Sequence, residues 1–303
     1  MSLIFTFNTD YHCPTGKIEP VAPGLRRITA NNPGPLTFRG TGTYVVGEEQ
    51  VAIIDPGPKD PQHIKALMSQ LPGETISHIL VTHTHSDHSA GTNLLQQACG
   101  APSYAMGNHT ALQRPSTLPR ELDSAGDIDF IPDEVLQHGD VIEGLNWSLQ
   151  CLHTPGHASN HAAFAEAAFE RVFVGDLVMG WSTPVLLPPD GHLGDYLDSL
   201  KLMLSREDKQ YWPTHGAAIE NPRALVEHLI EHRLKRIESV FDAVSRGHTT
   251  LSEIVKDAYP KLDPTLFPAA ERSTLASVIY LIDQQRLTAH LSAGLNIECC
   301  VVE

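Results

Sequence analysis

Apolar residues along the chain recur at two periods, and the switches between them mark its elements. Short apolar runs bounded by turn residues predict strands at 25–28, 41–46, 51–55, 76–81, 101–105, 147–152 and 171–176, and a run from 210 that ends in His215-Gly216. The runs 41–46 and 51–55 are separated only by Gly47, Glu48, Glu49 and Gln50, and Asp55-Pro56-Gly57-Pro58 stops the second. Helical spacing predicts helices at 63–71, where Ile64, Leu67, Met68 and Leu71 share a face, at 90–98 despite Gly91, and at 195–204. Asn221-Pro222 caps a longer helix with Leu225, Leu229, Ile230, Leu234, Ile237, Val240 and Phe241 on one side. Strand, helix and strand in alternation predict a layered arrangement of both element types.

From about Ser245 the character changes. Arg246-Gly247-His248 is a break, and Thr250-Leu251-Ser252-Glu253 forms a capping box for a short helix through Ala258. A longer helix is predicted at 269–285, with Leu275, Val278, Ile279 and Ile282, and a small strand or wing at 287–295. Two units are therefore expected, with the second beginning near this change of character. A chain of 303 residues buries a substantial core without cross-links.

Composition narrows the picture. With 21 basic and 36 acidic residues the net charge is -15, which two divalent cations would reduce but not reverse. An acidic chain does not attract polyphosphate non-specifically, which counts against a dedicated nucleic-acid binder without excluding a local basic patch. Five cysteines, Cys13, Cys99, Cys151, Cys299 and Cys300, do not describe a disulfide framework. They imply a reducing compartment, with Cys99 and Cys151 as small buried hydrophobes. The first 20 residues lack the order of a signal peptide, and no run approaches the roughly 20 apolar residues that span a bilayer. A cytoplasmic protein is expected, with no membrane partner.

The chemistry concentrates after the run 76–81. His83, His85, Asp87 and His88 place four potential metal ligands within six residues, on a loop between a strand and a helix. Imidazole and carboxylate together suit zinc, iron or manganese. His153-Thr154-Pro155-Gly156-His157 follows the run 147–152, and Pro155-Gly156 gives a sharp turn. The run 171–176 ends in Asp176. Nucleophile-elbow, dinucleotide-binding and Gly-Lys-Ser/Thr phosphate motifs are absent.

His-x-His-x-Asp-His, Thr-Pro-Gly-His, strand-Asp and strand-His-Gly, in this order, resemble the four motifs of the metallo-beta-lactamase superfamily. The resemblance covers about 20–235, and the tail at 236–295 resembles the beta-lactamase-like protein 2 or glyoxalase II-like branch, which carries a winged-helix-like domain. It implies an α+β fold, the αβ/βα four-layer sandwich, with that small domain behind it. It further implies that His83, His85 and His157 hold one divalent metal and Asp87, His88 and His215 a second, most simply zinc, with Asp176 bridging. Asp55 would support the loop by hydrogen bonding, or simply cap a turn. His153 and His161 match no ligand position and either orient the site or are satisfied elsewhere. The stretch 107–134, with Arg114, Arg120, Glu121, Asp123, Asp127 and Asp129, is a surface excursion beside the site, either a substrate lid or a decorative loop.

The implied activity is metal-dependent hydrolysis by a hydroxide shared between two ions, with Asp176 and Asp87 as catalytic carboxylates. A small ester, thioester or lactone is favoured as substrate by the acidic balance. Cleavage of single-stranded RNA is the alternative, because that branch includes an endoribonuclease. A metal-stabilised interaction protein is a third reading. The tail mixes Lys256, Lys261, Arg272 and Arg286 with Glu253, Asp257, Asp263, Glu271 and Asp283, so it presents no basic stripe.

Overall fold

The computed structural model describes residues 6–114, 118, 122–264, 267–291 and 297–302. Arg120 and Glu121, and residues 292–295 of the expected wing, lie outside the described residues. Among those described, two sheets form the body. The first runs in chain order: β1 (Ile18–Ala22), β2 (Leu25–Thr29), β3 (Gly42–Val46), β4 (Gln50–Ile54), β5 (Thr75–Leu80), β6 (Ser103–Ala105) and β7 (Glu134–Val135). Its pairs are antiparallel up to β4 and parallel beyond. The second is ordered β12 (Gln210–Pro213), β11 (Arg171–Gly175), β10 (Ala162–Glu166), β9 (Ser148–His153) and β8 (Val141–Glu143), with only β11 and β12 parallel.

Alternation along the strands sorts side chains into layers. Tyr44, Val46, Ile54 and Leu80 point between the sheets and meet Cys151, Phe164, Phe173 and Trp212. The opposite face of the first sheet carries Ile28, Val45, Ile53 and Ile79, covered by Ile64 and Leu67 of α1 (Pro61–Ser69) and Leu95 of α3 (Thr92–Cys99). The opposite face of the second sheet, with Ala163, Val172 and Val174, is covered by Leu197 and Leu200 of α4 (Leu193–Leu204) and Leu225 and Leu229 of α5 (Pro222–Ser245). The order helix, sheet, sheet, helix is the αβ/βα sandwich. Central strands are buried on both faces, so they read as continuous apolar runs.

Two local departures from the expected elements have physical causes. The helix predicted from residue 90 begins earlier, as the single turn α2 (Ser86–Ser89), so Asp87 and His88 sit on helical backbone rather than on a loop. It breaks at Gly91, whose N–H donates to Gly57 O at 2.8 Å rather than back along the helix, so α3 starts afresh. The approach needs glycine, since a Cβ would come within 2.8–3.0 Å of the carbonyl oxygens of Pro56, Gly57 and Pro58. Cys99 is only half-buried, whereas Cys151 is fully buried, and all five thiols are free.

Behind the sandwich lie α6 (Leu251–Ala258), α7 (Phe267–Asp283) and the antiparallel pair β13 (Leu287–Leu291) and β14 (Ile297–Val301). The capping box forms as expected: Thr250 Oγ1 accepts the Glu253 N–H, and the Glu253 carboxylate accepts the Thr250 N–H. Leu251, Ile254, Leu275, Val278 and Leu281 belong to the same apolar cluster as Leu200, Leu229 and Val240. Among the described residues, no helix is long and apolar enough to cross a membrane.

Candidate metal centre

Four strand ends deliver the candidate residues. β5 leads into Thr82 and His83, β9 into the turn before His157, β11 into Asp176, and β12 into His215. Asp55, at the end of β4, ties two of them together. Its backbone lies in the left-handed region (φ 53°), which asparagine and aspartate tolerate best among side-chain-bearing residues. One carboxylate oxygen accepts the Thr82 N–H at 2.8 Å. The other accepts the hydroxyls of Thr82 and Thr214 and faces His88 Nδ1, each at 2.8 Å. The hydrogen-bonding role expected for Asp55 is therefore present.

The seven candidate residues converge. His83 Nε2 and His157 Nε2 lie 2.9 and 3.0 Å from His85 Nδ1. His215 Nε2 and His88 Nε2 lie 3.2 and 3.5 Å from Asp87 Oδ2. Between these groups, Asp176 Oδ2 is 3.5 Å from the Nε2 atoms of His88 and His215 and 3.6 Å from that of His157. Tetrahedral bonds of roughly 2 Å place ligand atoms about 3.3 Å apart. The sets His83/His85/His157 and Asp87/His88/His215 match that spacing.

The residues fit divalent metal ions on two further counts. Among the described residues, His88 Nε2 and Asp176 Oδ1 are buried with no hydrogen-bond partner. Polar atoms are not left so without cost unless something occupies them. The inward-facing rings are also held from outside, as ligand histidines are. His157 Nδ1 contacts Val185 O at 2.7 Å, His215 Nδ1 contacts Gly40 O at 3.2 Å, and His83 Nδ1 contacts Thr82 Oγ1 at 3.1 Å.

Burial, reinforced by His157, pushes His85 down to about 3, and burial with His88 holds His83 well below its ordinary value. Neutral rings are the form that offers a lone pair to a metal. At His88 and His215 burial works the same way but the carboxylates prevail. Asp87, Asp176 and Asp55 lift His88 well above its ordinary value, and Asp176 and Asp87 lift His215 to about 9. Asp176 resists burial because His215 and His88 hold its carboxyl well below the usual range. These carboxylates require cationic neighbours, and metal ions entering there displace protons.

His161 and His153 differ in their placement. His161 Nε2 accepts the Asp176 N–H at 3.1 Å, while its Nδ1 meets Thr154 Oγ1 at 2.8 Å. It orients Asp176. His153 Nε2 meets Ser159 O at 3.0 Å, outside the cluster. Two arginines in the surroundings have no sequence signature. Arg27 on β2 donates to Thr214 O at 2.9 Å and to Gly216 O at 2.5 Å, the carbonyls flanking His215. Arg233 on α5 donates to Pro184 O, next to the carbonyl that holds His157. The excursion is joined to the site by backbone bonds, Ser86 N–H to Ala125 O at 3.0 Å and Asp127 N–H to Thr84 O at 2.7 Å.

This fold and this cluster define a metal-dependent hydrolase. Residues 36–215 match the model of the metallo-beta-lactamase superfamily, and the chain belongs to that superfamily. It is similar to the lactamase-like protein nscB of Arthroderma benhamiae, 29% identical over 289 residues, which span 89% of this chain and 60% of that relative. It is also similar to the atrochrysone carboxyl ACP thioesterase of Passalora fulva, 31% identical over 80% of this chain and 70% of that one. Among solved structures, a beta-lactamase domain protein from Burkholderia ambifaria superposes with TM-score 0.79 over 98% of this chain and 97% of its own, at 20% identity. That likeness concerns the fold alone.

Proposed function

We propose that the chain hydrolyses a small acyl substrate, an ester, thioester or lactone, at a two-zinc centre. The observation that carries this reading is the position of Asp176 Oδ2, within 3.5–3.6 Å of Nε2 atoms from both ligand sets. In this reading His83, His85 and His157 would hold one ion, Asp87, His88 and His215 would hold the other, and Asp176 lies between the two sets. Bound divalent ions supply an activated water at neutral pH and an electrophile for the substrate carbonyl. The chain's own residues supply position. Asp55 and His161 fix the rings and the Asp176 backbone, and Asp176 sets the separation of the two ligand groups. Asp87 has a side chain 28% exposed, against 8% for Asp176, and its neighbours hold it ionised. It is the carboxylate placed to accept a hydrogen bond from incoming water and aim it at the carbonyl.

Three features favour an acyl substrate over RNA. Phe38 stacks on Trp181 at 4.7 Å and 9°, and Trp181 in turn packs on Gly216, so an apolar wall stands beside His215. The tail's guanidiniums are engaged: Arg246 with Asp257, Arg286 with Glu238, Arg272 with Leu122 O. On a chain of net charge -15, guanidiniums already engaged within the fold are poor partners for a polyanion. The Passalora fulva relative is named a thioesterase.

We also place the chain in the beta-lactamase-like protein 2 or glyoxalase II-like branch, with a catalytic unit at 1–235, a winged-helix-like unit at 236–303, and a cytoplasmic location. Helices α6 and α7 followed by the β13–β14 pair support the tail assignment, and the five free thiols support the compartment. Helix α5 runs through the junction and serves both units.

The test is a side-by-side assay of metal-loaded enzyme on single-stranded RNA and on a panel of esters, thioesters and lactones. Acyl hydrolysis is expected, with Asp176→Ala at least about a hundredfold slower but folded. RNA cleavage that vanishes in Asp176→Ala, with an inert acyl panel, would move the assignment to a nuclease.

A further inference from the structure

Thr84 separates His83 from His85, and its hydroxyl faces a second polar cluster. His109 Nδ1 lies 2.9 Å from Thr84 Oγ1, which also accepts Asn160 Nδ2–H at 2.9 Å. The other ring nitrogen, His109 Nε2, lies 2.7 Å from Asp123 Oδ2. Ligand atoms of His109, Asp123 and Asp190 all fall within 4.8 Å of one another. Asp190 is only 4% exposed. Its Oδ1 accepts the Ser159 N–H at 3.1 Å, whereas its Oδ2 has no hydrogen-bond partner among the described residues. Gly126 keeps the space for the imidazole, since a Cβ there would stand 2.1–2.5 Å from the His109 ring.

One buried and one half-buried carboxylate facing one imidazole are not balanced. A protonated ring cancels one charge and leaves the unpartnered Asp190 oxygen unsatisfied. Burial pushes the Asp190 carboxyl up. We propose that His109, Asp123 and Asp190 bind a third divalent transition-metal ion, separate from the two-metal centre. Two carboxylates neutralise a divalent ion. The imidazole selects zinc or manganese over calcium or magnesium. With the ion in place His109 would donate Nδ1–H to Thr84 Oγ1, and its Nε2 would give up the proton shared with Asp123 and offer the lone pair to the ion. Ligand atoms about 3.3 Å apart, for bonds of roughly 2 Å, require the His109–Asp123 contact to open by about half an ångström. The ion would join the excursion, through His109 and Asp123, to the His157 loop, through Asp190 and Ser159.

The experiment measures bound metal in the full-length chain after dialysis against zinc and, separately, manganese. Wild type is expected to hold three equivalents of at least one ion. Asp190→Asn, which keeps an acceptor for Ser159 N–H, and His109→Gln should hold two, with the third bound at least about a hundredfold more weakly. Metal-free melting confirms that each variant folds. Asp176→Ala should keep the third equivalent, which separates this site from the two-metal centre. Wild type saturating at two equivalents with both ions, a third equivalent retained in both His109→Gln and Asp190→Asn, or its loss in Asp176→Ala would overturn the proposal.

Discussion

Two buried residues show the difference between a buried polar side chain that is fully bonded and one that is not. Asp55 is inaccessible, yet both of its carboxylate oxygens are engaged, by the Thr82 N–H, the hydroxyls of Thr82 and Thr214, and the His88 ring. His63 is the opposite case. Its Nε2 meets Thr43 Oγ1 at 2.9 Å, but its Nδ1 has no partner among the described residues. Burial pushes it down to about 4. The unfolded chain takes up this proton near pH 6.5, while the folded chain does so only near 4. The contribution is therefore complete above about pH 6.5 and is lost as the pH falls toward 4. At pH 4.5 the loss amounts to roughly 2–3 kcal/mol. His63→Gln keeps a partner for Thr43 without a titrating group. Denaturant unfolding of both metal-free proteins at pH 7 and pH 4.5 should show wild type losing that much more than the variant. Site histidines titrate in both proteins and cancel in the comparison. Equal losses would show that His63 protonates freely in the folded state.

At the scale of elements, the ligand loops are held by arginines from elsewhere in the fold. Arg233 on α5 is buried, lies 5.3 Å over the Tyr196 ring, and leaves its Nε without a partner among the described residues. Burial depresses its pKa, so its charge is a cost to folding. Its visible return is the bond to Pro184 O, beside the Val185 carbonyl that orients His157. Arg233→Met should leave the melting temperature unchanged or raised. Metal affinity should fall about tenfold, measured by chelator competition, because a support of the His157 ring is gone. A lowered melting temperature with unchanged metal affinity would make Arg233 a packing residue only. Neither Arg233 nor Arg27 could be read from the sequence, because each acts on a backbone carbonyl far along the chain, 189 residues away for the Arg27 contact with Gly216. The same holds for His109 and Asp123 of the 107–134 excursion and Asp190 of the loop before α4, which only the fold brings together. Strand β10 escaped notice because Ala162, Ala163 and Ala165 give no alternation, and β7 and β8 are too short to show a period. What was legible has a local cause. The strands β3, β4 and β11 are doubly buried runs, and His83 to His88 compresses four of the seven candidate residues into a short stretch of chain.

The whole molecule raises the question of whether the tail is detachable. The capping box and the chain break at 246–248 mark it as a unit in sequence. The packing does not stop there. Leu251, Ile254, Leu275, Val278, Leu281 and Leu287 share one cluster with Leu197, Leu200, Val240 and Ala243. Polar contacts cross as well: His192 Nε2 lies 2.8 Å from Asp283 Oδ2, and Arg272 donates to Leu122 O at 2.5 Å, next to Asp123. A chain cut after Gly247 would expose the inner faces of α4 and α5. Each large apolar side chain that loses its cover forfeits roughly 1.5–3 kcal/mol. Typical stabilities are only about 5–15 kcal/mol, so a few such losses are enough to unfold the body. The fragment 1–247 is therefore expected to be insoluble, or to bind a hydrophobic dye and melt without cooperativity, even when metal is supplied. A soluble 1–247 fragment with a sharp melting transition and two bound metal ions would show that the sandwich stands alone. The tail would then be an appended module, and its apolar contacts would matter for docking rather than for folding.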